Sequence, residues 1–228
     1  MTFVQDNLRR VRKEIVSAAI ASGRNPESVR LIAVSKRKPS ALIEEAISIG
    51  QIDFGENYVQ EGIGKVRALD HYPEIRWHFI GSVQSNKCRV VAENFTWCHT
   101  VDKIKTARRL SMYRPKSLDS LNILIQVNVS GESSKAGINF ETISDLTEKI
   151  MELPRLRLRG IMAIPAPIQS HLYNVNVYHQ ISNMFLELKR DYLDIDTLSL
   201  GMSSDMRVAI SSGSTMIRAG SAIFGNRE

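Results

Sequence analysis

The chain has 228 residues, of which 43% are hydrophobic and 24% are charged, the proportions of an ordinary globular protein with room for one large domain. We expect neither a membrane protein nor a secreted one, because no apolar stretch reaches the length of a membrane span and the N-terminus lacks the layout of a signal peptide. The net charge of +6 does not predict a nucleic-acid partner, because Lys and Arg are interleaved with Asp and Glu and form no patch with aromatic residues.

Helix and strand patterns alternate along the chain. Val4, Leu8, Val11 and Ile15 recur at helical spacing and predict an opening amphipathic helix that ends near Gly23. Short apolar runs bounded by charge, Gly or Pro then predict strands at residues 29–35, 52–55, 75–80, 95–101, 121–129, 156–164, 197–200 and 215–219. Helical patterns follow them at residues 39–50, from 56 onwards, and at 86–92, 102–112, 143–153, 174–192 and 206–211, with Asp102 as a candidate helix cap.

This alternation predicts an α/β fold, namely a single (β/α)8 TIM-type barrel with an extra N-terminal helix, and one domain spanning residues 1–228. A doubly wound open sheet is the alternative. It would usually carry a Gly-rich turn after its first strand. Ser35-Lys36-Arg37-Lys38 stands at that position instead, so the barrel is favoured.

Lys36 follows the first predicted strand, which places it at the edge of the sheet where barrel enzymes carry their chemistry. Like charges on Arg37 and Lys38, together with partial burial, would disfavour its ammonium form. A neutral amine can attack an aldehyde and form a Schiff base. The alternative is a solvated charge that merely ends the strand.

Two Gly- and Ser-containing segments follow the seventh and eighth strands, the usual place for a phosphate site in such barrels. Residues 201–204 lead into a predicted short helix, whose N-terminus would favour an anion. Gly220 would let the backbone approach a ligand closely. The alternative makes the serines a helix cap and the glycines turn residues.

Arg218 lies in or just after the last predicted strand, where an unpaired charge would be costly. A guanidinium cannot accept a proton, so it would keep a facing pyridine nitrogen unprotonated; a structural ion pair is the alternative. Asn57 could bond a ring hydroxyl or cap a helix, and His78 could point into the barrel or be a core histidine. A Schiff-base lysine, a phosphate site and this arginine together suit pyridoxal 5'-phosphate (PLP).

Six motifs resemble the PLP homeostasis proteins, a family similar to the N-terminal barrel of alanine racemase: Val34-Ser-Lys36, Phe54-Gly-Glu-Asn-Tyr-Val-Gln-Glu61, Trp77-His-Phe-Ile-Gly81, Gln84-Ser-Asn-Lys87, Ser199-Leu-Gly-Met-Ser203 and Gly213-Ser-Thr-Met-Ile-Arg-Ala-Gly-Ser-Ala-Ile-Phe-Gly225. The resemblance implies a covalent internal aldimine on Lys36, Asn57 near the ring and Arg218 at the pyridine nitrogen. It also implies Met202, Ser203, Gly220 and Ser221 around the phosphate. His78 and Gly81, at the end of the third strand, complete the predicted cofactor site.

The resemblance implies a role in vitamin B6 homeostasis without robust catalysis. Alanine racemases take a second base from a further domain, and this sequence ends soon after the last motif. We therefore predict no catalytic residues, no metal, and PLP-dependent apoenzymes as partners of a monomer, with a dimer left open. An active racemase or lyase, with Asp102 or His78 as base, is the alternative, and a PLP-independent aldolase is a third. Cys88 and Cys98 match no metal or redox spacing, so we expect reduced thiols in the cytoplasm.

Overall fold

Eight parallel strands close into a barrel in the computed structural model, which describes residues 2–129, 136–165 and 171–225, with only the backbone of residues 171–175. Each strand pairs with the next, and β1 pairs with β8 to close the ring. The strands are β1 Arg30–Val34, β2 Asp53–Glu56, β3 Arg76–Phe79, β4 Trp97–Val101, β5 Leu121–Val127, β6 Leu156–Ala163, β7 Thr197–Met202 and β8 Met216–Ala219. The predicted (β/α)8 barrel is therefore confirmed.

Helices surround the barrel and cover the outer faces of its strands. They are α1 Phe3–Ala21, α2 Ser40–Ile47, α3 Val59–Ala68, α4 Cys88–Asn94, α5 Ile104–Tyr113, α6 Ile143–Met151, α7 His171–Asp191, α8 Met206–Ser211 and α9 Ser221–Phe224. Within the described ranges, no helix is both long and apolar enough to cross a bilayer.

The extra N-terminal helix, α1, begins with a capping box. The Thr2 hydroxyl accepts from the Gln5 N–H, and the Gln5 side chain accepts from the Thr2 N–H, which satisfies two amides that have no partner within the helix. The predicted apolar stripe of α1 is buried, and the helix packs against α2, α8 and α9. It thereby ties the last strand unit of the barrel to the first.

Side chains alternate between two apolar cores, as a sheet with period two requires. Leu31 and Ala33 of β1 point outward into the large core beneath the helices. Between them, Ile32 points inward and packs in the barrel with Trp97, Leu124, Met162 and Met216. The barrel interior is therefore filled by side chains, which leaves its two ends as the places where a ligand can enter.

Some predicted boundaries are wrong by one or two residues. β5 ends at Val127 rather than at residue 129, because the chain leaves the β6 ladder there and the Asn128 N–H donates to the Ile138 carbonyl at 2.9 Å. Asp102 does not cap α5: the cap residue is Lys103, and no side chain caps that helix end. Backbone bonding decides these ends, and the apolar pattern does not record it.

Candidate functional site

A cleft of about 350 Å³, called here the mouth cleft, opens at the carboxyl ends of the strands. The predicted site residues that line it are Lys36, Asn57, Met202, Ser203, Arg218, Gly220 and Ser221. Ser204, from the predicted phosphate segment 201–204, lines it as well, and so do five residues that were not predicted as part of the site, namely Val34, Lys38, Ile80, Ile164 and Gly225. The fold thus brings together all of the predicted residues except His78 and Gly81.

Lys36 is half-buried and sits in a tight turn that follows β1. The Lys38 N–H donates to the Ser35 carbonyl at 3.0 Å, which closes the turn. Arg37 has a φ of +58°, a left-handed conformation that a residue other than Gly rarely adopts. Its N–H donates to a carboxylate oxygen of Glu61, so an acceptor outside the turn holds this unusual backbone in place.

A buried ion cluster lies directly beneath that turn. The Lys65 ammonium donates to the Ser35 carbonyl at 2.6 Å and to carboxylate oxygens of Glu56 and Glu61 at 2.8 and 2.6 Å. The Ser35 hydroxyl also donates to Glu56, at 2.6 Å. Burial raises the pKa of Glu56, while Lys65 and the Ser35 hydroxyl act in the opposite direction. The cluster therefore binds the residues on both sides of Lys36 to α3.

Gly81 shapes the mouth cleft without lining it. A Cβ at this position would lie 2.0 Å from the Asn57 carbonyl oxygen, so only Gly lets the two backbones approach this closely. The Thr100 hydroxyl donates to the Gly81 carbonyl at 2.6 Å and fixes the approach. Asn57 lines the cleft, and its Oδ1 is buried without a hydrogen-bond partner among the described residues. A buried acceptor in this state calls for a donor from a ligand.

Arg218 is 5% exposed and reaches the mouth cleft from β8. It donates to the Ser199 hydroxyl at 2.7 Å and to the Ala163 carbonyl at 3.0 Å. In the described part of the chain no carboxylate forms an ion pair with it, which does not support the structural ion-pair interpretation. Burial lowers the pKa of Arg218 to about 10, with Asp205 acting in the opposite direction, so the guanidinium stays charged at neutral pH.

The segment after β7 carries an acceptor that the sequence did not reveal. Asp205 accepts from the Met202 N–H at 2.5 Å and from the Tyr178 hydroxyl through its other oxygen. Asp205 is also the cap residue of α8, so the alternative in which Ser203 or Ser204 caps that helix is wrong. Both serines line the mouth cleft, while the Met202 N–H is already used within the protein.

A chain of hydrogen bonds runs through the barrel from Arg218 towards the N-terminal ends of the strands. Ser199 links Arg218 to Nδ1 of His99 at 3.2 Å, His99 Nε2 meets His78 Nδ1 at 3.0 Å, and His78 Nε2 meets Asp53 at 2.9 Å. Hydrogen bonds and nearby charges from His78 and arginines lower the pKa of Asp53 against the effect of its burial, so its carboxylate only accepts. His78 therefore donates through Nε2, and each preceding group donates to the next.

His78 does not reach the mouth cleft, which corrects its predicted place in the cofactor site. It is fully buried and stacks on Trp97 with ring centroids 5.4 Å apart. Both of its ring nitrogens are engaged inside the barrel. Ile80, two residues further along on the same face, is the residue that lines the cleft. His78 thus lies one pleat too deep to contact a ligand there.

The two buried imidazoles make the protein sensitive to acid. Burial lowers the pKa of His78, and it lowers the pKa of His99 more strongly. The neighbouring His78 and Arg218 lower the pKa of His99 further. Below about pH 6.5 the unfolded chain takes up protons that the folded chain does not, so the free energy of unfolding decreases as the pH is lowered. We expect the free energy of unfolding to be lower by between about 1 and 3 kcal/mol at pH 5.5 than at pH 7.5, measured by urea titration.

Two buried carboxyl groups also have shifted pKa values. The lowered pKa of Asp53 affects stability only at pH values below those at which a carboxyl group ordinarily titrates. The raised pKa of Glu56 has the opposite sign, because it makes the folded protein more stable as the pH is lowered. His71 is exposed, so a His71→Gln variant serves as the control and should keep the full loss. Equal stability at the two pH values would contradict a neutral pair inside the barrel.

Several structurally important residues escaped the sequence prediction. Asp53 and His99 each lie two residues from another inward-facing strand position, Gly55 and Trp97, so strand alternation places them inside the barrel. Lys65 gave no such signal, because an exposed lysine is typical of a helix. Among the described residues no group of His, Cys, Asp and Glu side chains could hold a metal ion.

The sequence is similar to proteins of known family along its whole length. The profile of the family described as "Alanine racemase, N-terminal domain" matches residues 5–228. The chain is 52% identical over 233 residues to the "Pyridoxal phosphate homeostasis protein" of Escherichia coli (strain K12), with 100% of this chain and 98% of that protein covered. The protein of the same name from Vibrio alginolyticus is 48% identical over 231 residues, with 100% and 99% covered.

Solved structures share this fold along nearly the whole chain. PipY from Synechococcus elongatus PCC7942 has been solved both without PLP and with PLP bound, and both forms are 33% identical to this chain. Their TM-scores are 0.86 and 0.84, and the alignments cover 97% of this chain and 100% of PipY.

Proposed function

Because the chain belongs to the family of pyridoxal phosphate homeostasis proteins, within the wider family of the alanine racemase N-terminal domain, we propose that it binds PLP in the mouth cleft. The residues there fit such a ligand. The unpartnered Asn57 Oδ1 would accept a hydrogen bond from the ring hydroxyl, and the positive charge of Lys38 suits an anionic phosphate ester. When bound, PLP supplies an aldehyde that an amine can attack.

Each lining residue has a distinct task in this proposal. Lys36 provides the amine that links the cofactor covalently to the protein. Ser203 and Ser221 offer hydroxyl donors to the phosphate, with Met202 and Gly220 shaping the backbone around it. Arg218, held by Ser199 and Ala163, would be the residue at the pyridine nitrogen and would leave that atom unprotonated, because a guanidinium has no lone pair to accept a proton.

The composition of the mouth cleft supports a role in binding rather than in catalysis. Its described lining includes no acidic residue and no His, Tyr or Cys. Neither His78 nor Asp102, the bases considered for a racemase or lyase, lines it. Racemisation needs a proton donor and an acceptor on opposite sides of the substrate. We therefore propose a protein that holds PLP for vitamin B6 homeostasis in the cytoplasm, without robust catalysis, as a monomer that passes PLP to apoenzymes.

Two assays on the PLP-loaded protein test this function. With a panel of amino acids, we expect turnover far below about 1 per second, the lower end of ordinary enzyme rates. When it is mixed with an apoenzyme that requires PLP, we expect the activity of that enzyme to appear. Free PLP at the same total concentration is the control for transfer through solution. Sustained turnover of an amino acid at about 1 per second or faster would overturn the proposal.

A further inference from the structure

A second cleft, called here the base cleft, lies at the opposite end of the barrel, between α1 and the N-terminal ends of β1, β2 and β3. It has a volume of about 340 Å³, and its charged lining consists of Arg12, Arg30, Asp53 and Arg76. We propose that the base cleft binds a small phosphate dianion, either inorganic phosphate or a phosphate monoester.

The charges that line the base cleft do not balance. Three guanidinium groups face one carboxylate, a formal excess of two positive charges. That carboxylate, Asp53, is already shared: it accepts from His78, pairs with Arg76 at 2.7 Å and lies 3.9 Å from Arg30. A dianion would match the remaining charge, and its oxygens fit the forked geometry of guanidinium donors.

Arg12 shows the excess most directly. Its side chain donates to the Ile49 carbonyl at 2.7 Å and to the Gln51 side chain at 3.1 Å, both of them neutral acceptors. These bonds hold the guanidinium at the cleft, and no carboxylate of the described residues forms an ion pair with it. A guanidinium has five N–H donors in all, so some remain for a ligand. Beside it, Gly50 has no atom within 4 Å of the position a Cβ would take, so an open stretch of backbone borders the site.

Arg30 adds a second reason for an anion. It lies over the ring of Trp97, 5.8 Å from the centroid, with Arg76 and Arg159 as neighbouring like charges. Burial lowers the pKa of Arg30 most, Asp53 raises it, and the two neighbouring arginines lower it further. Arg159 pairs closely with Asp196 and also donates to Asn122. The Arg30 guanidinium has the shared Asp53 as its one carboxylate within 4 Å in the described part of the chain, and Asp196 acts on it more weakly from further away. A bound dianion would relieve this repulsion.

Isothermal titration calorimetry with the PLP-loaded protein tests the site while the mouth cleft is occupied. At constant ionic strength we expect inorganic phosphate to bind at one saturable site with a dissociation constant of about 1 mM or tighter. Arg12→Gln should weaken this binding at least about tenfold, since a charged hydrogen bond is lost. Arg30→Gln provides a second variant in case the first fails to fold. Arg207→Gln removes the same charge from the exposed surface of α8 and should leave binding unchanged.

The possible results separate the explanations. A titration with glycerol 3-phosphate shows whether the site also accepts a phosphate monoester or only inorganic phosphate. A titration with chloride measures the background heat of a simple anion. The proposal fails if no saturable heat appears, if Arg12→Gln and Arg30→Gln bind as the unmodified protein does, or if Arg207→Gln weakens binding equally. This outcome does not depend on whether the protein binds PLP. In a protein without PLP, Arg12→Gln would still remove the heat of phosphate binding at the base cleft.

Discussion

Borohydride reduction of the PLP-loaded protein is expected to leave a pyridoxyl group on Lys36, found by peptide mapping, and to abolish the visible absorption of the covalently bound cofactor. The turn that holds Lys36 at the mouth cleft is fixed from both sides, by the Ser35 contacts and by the Arg37 N–H. A pre-positioned amine reacts far more readily than a mobile one, because little orientational freedom remains to be lost.

Lys38 provides a matched control, because it lines the same cleft and lies only two residues away. We expect a Lys38→Ala variant to keep the adduct on Lys36. A Lys36→Ala variant should bind PLP at least about tenfold more weakly, the effect of losing a free-energy contribution of about 1.4 kcal/mol or more. Finding the adduct of the unmodified protein on Lys38 instead would refute the assignment of Lys36.

Replacing Lys65 by Met is expected to lower the free energy of unfolding by about 3–5 kcal/mol, a large part of the stability of an ordinary domain. Lys65 and Glu56 are 6% and 0% exposed, and the variant would leave the Glu56 carboxylate buried beside Glu61 without its cation. Urea titration measures the loss. Combining Lys65→Met with Glu56→Gln should recover part of it, because the buried charge is then removed as well.

Lys149 offers the control for this experiment. Its ion pair with Asp145 has the same 2.6 Å separation and the same i,i+4 spacing as that of Lys65 with Glu61, but both side chains are at least half exposed. Lys149→Met should therefore cost less than about 1 kcal/mol. Similar losses in the two variants would show that burial of the Lys65 cluster is not what makes it important.

The fold and much of the site could be predicted because both depend on where strands end. Eight apolar runs separated by helical patterns, without a Gly-rich turn after the first, favour a parallel barrel, whose carboxyl ends meet at one opening. Lys36, Asn57 and Arg218 each lie close to such an end, so they come together in the mouth cleft whatever the details of packing. Linear order along the chain is sufficient for this conclusion.

Depth and burial could not be predicted in the same way. His78 has the correct inward orientation, but its distance below the opening depends on the register of β3 against β2 and β4. Gly81 was predicted to lie in the cofactor site, whereas in the structure it lets the backbone of Asn57 pack closely against its own. Lys65 is buried where the Ser35 carbonyl, 30 residues away in the sequence, meets the nearby carboxylates of Glu56 and Glu61. Each of these facts depends on contacts between distant parts of the sequence.

The hydrogen-bond chain inside the barrel makes its two openings a single unit. Every group between Arg218 and Asp53 donates in the same direction, so no link can be reversed without reversing all the others. The carboxylate at the base thus determines the tautomers of His78 and His99 and the rotation of the Ser199 hydroxyl. Arg218 can only donate and the Asp53 carboxylate can only accept, so the two ends of the barrel impose the same direction of donation on the three side chains between them.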